Sequence, residues 1–257
     1  MPRSYGLTRP PQVGSWSMAE RNMEISVVIP TLNEADNLQI LLPRLQTVLD
    51  KLGCDYEVII ADGASKDGTL DIARQYGTSI IRKKKGYGIA LRSAFRQCHG
   101  KFVITMDADL SHNPSIIKQL YLKRHAADIV IASRYIRRGS ADASFIRKIL
   151  SIILNKIFCI FLALPLKDVS SGFRLYNSEI LKRLKLKGHH YEILQEILIK
   201  AYLRGCTVTE IPFRYLPRGS GRSHVHLLTF GFYYMKVLFK FWKQRNFIIA
   251  DHKKFKS

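Results

Sequence analysis

The chain has 257 residues, 47% hydrophobic and 24% charged, an ordinary globular composition that allows one substantial core or two small ones. Its four cysteines (Cys54, Cys98, Cys159 and Cys206) form no CxxC pair, which argues against a structural zinc site and a disulfide framework and suits a reducing compartment. The net charge of +21 is uneven: residues 1–133 carry 17 basic and 13 acidic side chains, residues 134–257 carry 24 and 7, so the second half is expected to face something anionic.

Residues 1–23 are polar and rich in Pro and Gly, without the apolar stretch of a signal peptide, and read as a flexible lead. ISVVIPT over 25–31 is a short β-rich apolar run. Asn33 then offers a helix cap before Glu34, Asp36 and an apolar periodic stretch reaching Leu52. The same alternation predicts strands over 57–61, 79–81, 102–106 and 129–132, and helices over 69–76, 89–98 and 114–124. Strands alternating with helices at short spacing imply right-handed crossovers and a mostly parallel sheet, in which ligands bind beyond the carboxyl ends of the strands. The polar clusters Asn33-Glu34, Asp62 to Asp67 and Asp107 to Ser111 each follow a predicted strand immediately.

Past Arg134 the pattern changes to longer helical stretches over 144–163, 177–186 and 190–204, then an extended 208–213 and an amphipathic stretch over 226–242. The most apolar segment, 149–166, nears the length needed to span a bilayer, but Asn155 and Lys156 sit at its middle. A buried or membrane-facing amphipathic helix is expected there.

Asp107 and Asp109 alternate along a strand end, so their side chains are expected to leave on the same side and share one hard cation. An isolated DxD can equally cap the next helix; here Ser111 and Asn113 before Pro114 are available to cap, which leaves both carboxylates free. In DGASKDG, Gly63 and Gly68 permit tight turns and close approach to a ligand. Asp67 can cap the helix from Thr69, whereas Asp62 has no such local role and is a candidate for a nucleobase or ribose. KKKGYG over 83–88 enters a helix and reads either as an anion site or as a solvated basic loop; it is not a P-loop.

Together, VVIPTLNEADNL, IADGASKDGT, KKGYGIALRSAF, MDADLSHNP, ASRY and DVSSGFRLY occur in the order seen in family 2 glycosyltransferases, and the chain resembles the polyprenol (dolichol) phosphate sugar transferases over about 25–224. The resemblance implies an α/β GT-A (Rossmann-like) fold, a mostly parallel sheet flanked by helices, with a nucleotide-sugar donor, Mg2+ or Mn2+, and inversion at the sugar carbon. It divides the chain into one glycosyltransferase domain over 24–225, with a nucleotide-sugar half (24–133) and a helical acceptor half (134–225), and a basic amphipathic tail over 226–257. By the same resemblance Pro30, Asn33 and Glu34 lie beside the nucleotide, Asp62 at base and ribose, and Lys85 near the donor. Asp107 and Asp109 become the metal pair, with Ala108 lining the nucleotide. Arg134 and Arg147 grip the acceptor phosphate, with Ser151 on the same helix face, and Arg218 and Ser223 belong to a loop closing over the diphosphate. Two positions depart from the pattern: Gly63 stands where a second Asp is usual, which puts donor identity in question, and His224 where Lys is usual.

A lipid phosphate is already anionic and needs no strong general base, which suits a second half rich in arginine: Asp109, Arg134 and Arg147 would carry the chemistry. A sugar hydroxyl as acceptor would require a base, for which Glu196 is the nearest candidate. From Lys236 to Ser257 seven Lys or Arg and one Asp are interleaved with Phe239, Trp242, Phe247 and Phe255, a pattern that suits either peripheral contact with the cytosolic face of an anionic membrane or a core-packing helix with a soluble tail. A small membrane-anchoring subunit is a further partner this allows. A non-catalytic nucleic-acid-binding module is the alternative of another class; the zinc, RNP-type and helix-turn-helix signatures that would raise it are absent, and no nucleic-acid partner is expected.

Overall fold

The computed structural model describes residues 23–82, 86–141, 145–162 and 164–217, together with Leu238, Phe239, Trp242 and Lys243; at residues 82, 141, 145–151 and 162 it describes the backbone alone. In chain order the elements are β1 (Ile25–Thr31), α1 (Ala35–Asp50), β2 (Tyr56–Asp62), α2 (Thr69–Gln75), β3 (Ser79–Arg82), α3 (Tyr87–Phe95), β4 (Phe102–Thr105), α4 (Ile116–Leu122) and β5 (Ile129–Ser133). There follow β6 (Ser140–Ala141), α5 (Phe145–Leu162), β7 (Arg174–Asn177), α6 (Ser178–Arg183), α7 (Ile193–Tyr202), β8 (Val208–Pro212) and β9 (Arg214–Tyr215).

Seven strands form one sheet in the order β3-β2-β1-β4-β7-β5-β8. All neighbours are parallel except β7, which runs antiparallel to both β4 and β5. The expected mostly parallel sheet is therefore present, with an antiparallel strand at its heart that periodicity did not single out. Both β7 and β8 come from the second half of the chain, so the two halves share one sheet.

The strands are apolar on both faces because helices cover both. Alternation along β1 sends Ile25, Val27 and Ile29 into a core with Leu38, Leu41, Leu45 and Leu49 of α1 and Ile117 and Leu120 of α4, while Val28 joins the opposite core with α3, Phe158 of α5 and Ile197 of α7. Each of those α1 leucines is essentially fully buried, a contribution of about 1.5–3 kcal/mol apiece before entropic costs. No helix among the described residues is long and apolar enough to cross a membrane.

The loops after β1, β2, β4, β5 and β8 all emerge at one edge of the sheet. Because β7 is antiparallel, its leading segment 168–173 arrives at that same edge rather than the opposite one. This one reversal brings a segment from the second half of the chain beside the DAD loop.

Candidate active site

The loops after β1 and β2 interlock into one platform. Asn33, in the left-handed region at φ 56°, donates its amide to the Ser65 hydroxyl (2.8 Å), and its side-chain oxygen accepts from the amide of Lys66 (2.9 Å). The expected Asn33 helix cap is thus not made: the side chain spans to the neighbouring loop, and Asp67 caps across, accepting from Ala35 (3.1 Å) as well as from the amide of Thr69 (3.1 Å). Burial pushes the Asp67 carboxyl up, yet the Thr69 hydroxyl and the two amides together hold it below its ordinary value. Glu34 donates its amide to Thr69 Oγ1 (2.9 Å) and accepts from Asn37 Nδ2 (2.6 Å). Pro30, which has no amide to donate, stands beyond the last β1 residue paired with β4.

Asp62 has a local role that the sequence did not disclose. It is fully buried, and its carboxylate accepts from the amides of Ala64 and Ser65 (2.9 Å each), from the Thr31 hydroxyl (3.3 Å) and from the Ser65 hydroxyl. Four donors fill a carboxylate's usual capacity, so Asp62 holds together the loop that follows β2.

The DAD residues are not a strand end. β4 stops at Thr105, and Asp107 to Ser111 form a loop in which Leu110 takes φ 65°, so the two carboxylates meet different surroundings. Asp107 is half-buried, with 31% of its side chain exposed, and receives the Tyr87 hydroxyl at 3.3 Å. Burial foremost, and the Asp107 charge next, push the Tyr87 phenol well above its ordinary pKa, so it stays a donor. Asp109 is buried, and one of its oxygens accepts from the amide (3.1 Å) and the hydroxyl of Ser111. Ser111 therefore serves Asp109 rather than capping α4, and Asp109 is not left free as expected. Ala108, expected to line the nucleotide, is 3% exposed and packs in the α1-side core.

His112 is the hub beneath this loop. Its Nδ1 accepts from the Asp107 amide (2.9 Å), which places the proton of the neutral ring on Nε2, 3.6 Å from Asp107 Oδ2. The ring stacks on Phe173 with centroids 4.9 Å apart and meets the edges of Phe213 and Tyr215. Burial lowers its pKa more than Asp107 and Asp109 raise it, so it is neutral near pH 7.

Arg134, directly after β5, is gripped by Asp168. Nε and Nη2 donate to the two carboxylate oxygens at 2.8 Å each, the Arg134 amide donates to Asp168 Oδ2 (3.1 Å), and Nη2 also reaches Ser170 Oγ (2.7 Å). Burial opposes both charges, but the pair prevails: Arg134 is held above its ordinary range and Asp168 below its own. Tyr215 lies between the two centres, its ring against His112 and under the Arg134 guanidinium at 5.6 Å. The neighbouring Leu216 donates its amide to Ser111 O (3.1 Å), so the chain leading to Arg218 and Ser223 departs from the DAD loop itself.

The glycines of KKKGYG serve the fold, by letting the start of α3 pack against the 188–190 backbone. The amides of Gly88 and Ile89 both donate to His189 O (3.0 and 3.3 Å), and a Cβ on Gly88 would stand 2.6 Å from Gly188 O. Glu196, the candidate base, is consumed by the same junction: it accepts from the amides of Lys187 and Gly188 and from Lys200 Nζ (2.6 Å). Arg147 and Ser151 lie on α5, whose side chains are undescribed there; Lys85, Arg218, Ser223 and His224, and the stretch 226–242 apart from Leu238, Phe239 and Trp242, lie outside the described residues. The structure thus gathers Asp107, Asp109 and Arg134 around His112. The residues that sequence reasoning passed over, Tyr87, His112, Asp168, Ser170 and Tyr215, sit inside or beside recognised motifs, and only their contacts reveal them.

A divalent cation fits this donor set. Among the described residues no three His, Cys, Asp or Glu converge, but Mg2+ and Mn2+ need only one or two carboxylates when substrate phosphates complete the shell. Gly172 lies beside Asp107: a Cβ there would stand 2.9 Å from the Tyr87 hydroxyl and in ordinary contact, at 3.5 and 3.8 Å, with the two carboxylate oxygens, space that glycine leaves open.

A mixed sheet with carboxylates and interlocked loops at its carboxyl edge is the GT-A arrangement of nucleotide-sugar enzymes. Glucosyl-3-phosphoglycerate synthase from Mycobacterium tuberculosis, solved with Mn2+, uridine-diphosphate-glucose and phosphoglyceric acid, matches the fold with TM-score 0.67 at 19% identity, over 87% of this chain and 79% of that one. The chain belongs to glycosyl transferase family 2, whose model matches residues 26–185. It is 34% identical over 236 residues to the dolichol-phosphate mannosyltransferase of Pyrococcus furiosus, covering 86% of this chain and 64% of that protein. It is 28% identical over 212 residues to the undecaprenyl-phosphate 4-deoxy-4-formamido-L-arabinose transferase of Edwardsiella ictaluri, covering 79% and 63%. The chain therefore spans a little under two thirds of the length of these relatives.

Proposed function

We propose that the chain is an inverting, metal-dependent glycosyltransferase that moves a hexose of the mannose or glucose type from a GDP- or UDP-sugar to the phosphate of a polyprenol or dolichol. One observation carries the reading: the segment 168–172 touches the Arg134 guanidinium at one end and lies against Asp107 at the other, so an anion-gripping group and a cation-binding carboxylate share one support. The relatives' names support it, since they pair sugar transfer with dolichol phosphate and undecaprenyl phosphate.

In this reading the interlocked loops receive the nucleotide, with Pro30, Asn33 and Glu34 beside it and Asp62 acting through the loop it holds. Ala108 supports that pocket from beneath, and Lys85, Arg218 and Ser223 complete the donor side. Asp107 and Asp109 hold Mg2+ or Mn2+, which when bound neutralises the departing diphosphate. Tyr87 and His112 fix the direction of Asp107. Arg134, with Arg147 from α5, lowers the repulsion between acceptor phosphate and anionic donor and aims a phosphate oxygen at the anomeric carbon. The new C–O bond forms opposite the breaking sugar–diphosphate bond, which inverts the centre. An acceptor that is already an anion needs no strong base. That agrees with Glu196, Asp62 and Asp168 all being committed to structural partners.

The acceptor is a membrane lipid, so we place the protein peripherally on the cytosolic face, with or without a small membrane-anchoring subunit. Ile153, Ile160 and Phe161 form an exposed apolar strip on α5, and Phe239 is exposed with Lys243 Nζ 5.0 Å from its ring centroid, a cation-plus-aromatic pairing suited to a headgroup layer.

The test incubates purified protein with radiolabelled GDP- and UDP-sugars, polyprenyl phosphate, and Mn2+ or Mg2+. Label is expected in the lipid phase and should vanish in Asp107→Asn. Turnover only with a saccharide acceptor would replace the phosphate reading by a hydroxyl one, and avid nucleic-acid binding without turnover would remove both.

A further inference from the structure

We propose that the Ser170 hydroxyl is the joint that sets Arg134 against helix α5, and that Asn155, through that hydroxyl, and Asp168, directly on the guanidinium, are positioning residues for the acceptor phosphate. The inference rests on the reading that Arg134 meets that phosphate, and deepens it.

Ser170 Oγ accepts from Arg134 Nη2 (2.7 Å) and from Asn155 Nδ2 (3.1 Å), and donates to Asp168 Oδ1 (3.2 Å). One hydroxyl has one proton and two lone pairs, so all of its capacity joins three elements: the end of β5, helix α5 and the segment leading to β7. Asn155 is 2% exposed in an otherwise apolar stretch of α5, where an unbonded amide would be costly. Both of its ends are used, since its Oδ1 accepts from the Val169 amide (3.0 Å).

This matters for catalysis because of register. Positions 147 and 151 precede Asn155 by eight and four residues and share its broad helical face. The contacts of Phe158 and Cys159 with the core are apolar and weakly directional, so they resist sliding poorly. A slip of one residue would move the helix by about 1.5 Å and turn it by roughly 100°, displacing position 147 relative to Arg134. The directional bonds of Asn155 oppose that slip. Asp168 in turn takes the Nε–Nη2 edge of Arg134 and fixes the plane of the guanidinium.

Ser170 is only partly buried, so Ser170→Ala removes the joint with little cost in packing. The assay uses a short-chain polyprenyl phosphate in detergent micelles and whichever of GDP-mannose and UDP-glucose is turned over. Ser170→Ala should raise the acceptor KM about tenfold, the effect of losing a charge-assisted hydrogen bond, and leave the donor KM within about twofold. Ser170→Thr, which keeps the hydroxyl, should restore it. In an Arg134→Ala background Ser170→Ala should add less to the acceptor KM than it does alone, because the part of its effect that passes through Arg134 is already lost. Asn155→Ala should repeat the acceptor effect, with thermal melts showing the folded fraction unchanged at the assay temperature. The joint is overturned if Ser170→Ala leaves the acceptor KM unchanged, if it shifts donor and acceptor KM alike, or if its effect persists in full without Arg134. If Arg134→Ala itself does not raise the acceptor KM, the phosphate reading fails and takes the joint with it, a result distinct from the three above.

Discussion

The Arg134–Asp168 pair is where one residue's chemistry is most exposed to test. Both side chains are largely out of water, and each offsets the desolvation of the other. Asp168→Ala would leave the guanidinium buried and unpaired, an expected loss of about 3–5 kcal/mol in urea unfolding. The pair also has a pH signature. Arg134 holds the Asp168 carboxyl below its ordinary pKa in spite of burial. Its contribution is therefore complete above the unfolded-state value of about 3.9 and drains away as pH falls through the lower, folded value. Unfolding followed from pH 6 downward should show wild type losing stability more steeply than Asp168→Asn below about pH 4; identical acid limbs would mean that the pair is not linked to folding. Residue identity gave no hint of this partnership, because thirty-four positions separate the two side chains.

Among the elements, α3 and α5 each do something their periodicity does not announce. The first turn of α3 is packed against the 188–190 backbone, with both of its leading amides on one carbonyl. Gly88→Ala would drive a Cβ into the carbonyl oxygens of Gly188 and His190, at 2.6 and 2.8 Å; the first belongs to a residue tied to Glu196 and the second accepts from the Ile193 amide. The expected cost is about 1–3 kcal/mol, read as a lower denaturation midpoint. Helix α5 has one face in the core and another strip, Ile153, Ile160 and Phe161, exposed. If that strip meets lipid, Ile160→Asp with Phe161→Ser should weaken sedimentation with anionic liposomes while leaving the melting temperature near wild type; unchanged sedimentation would move the membrane contact elsewhere. Polar Asn155, which argued at the level of sequence against a bilayer span, turns out to be buried and bonded toward the sheet.

At the scale of the whole molecule, the proposed donor binding would be linked to folding. A ligand present at a hundred times its Kd stabilises by about 2.7 kcal/mol, which for a chain of this size is a rise of roughly 5–10 °C in Tm. UDP or GDP with Mn2+ should produce such a rise, EDTA should remove most of it, and Asp107→Asn should lose the metal-dependent part. A rise of the same size in Asp107→Asn would separate nucleotide binding from the DAD loop.

Much of this architecture was legible from the chain alone. The apolar runs of β1, β2, β4 and β5 are local, and their alternation with helical periods constrains them to a parallel, doubly covered sheet whose loops collect at one edge. The DAD, ASRY and SSGFR motifs likewise marked the neighbourhood of the site. What only the tertiary structure decided depends on contacts between residues far apart. Antiparallel β7, four residues long, carries too little pattern to be called from sequence, yet its direction delivers Asp168, Ser170 and Gly172 to the carboxyl edge. Whether a carboxylate is available to a ligand was equally undecidable in advance. Asp62 and Glu196 have side chains as capable as that of Asp107, but local donors claim their oxygens once the loops close, and Ser111 takes one oxygen of Asp109. Sequence specifies which groups a chain owns; hydrogen bonding in the folded loops, a property of three-dimensional proximity, settles what each of them is bonded to.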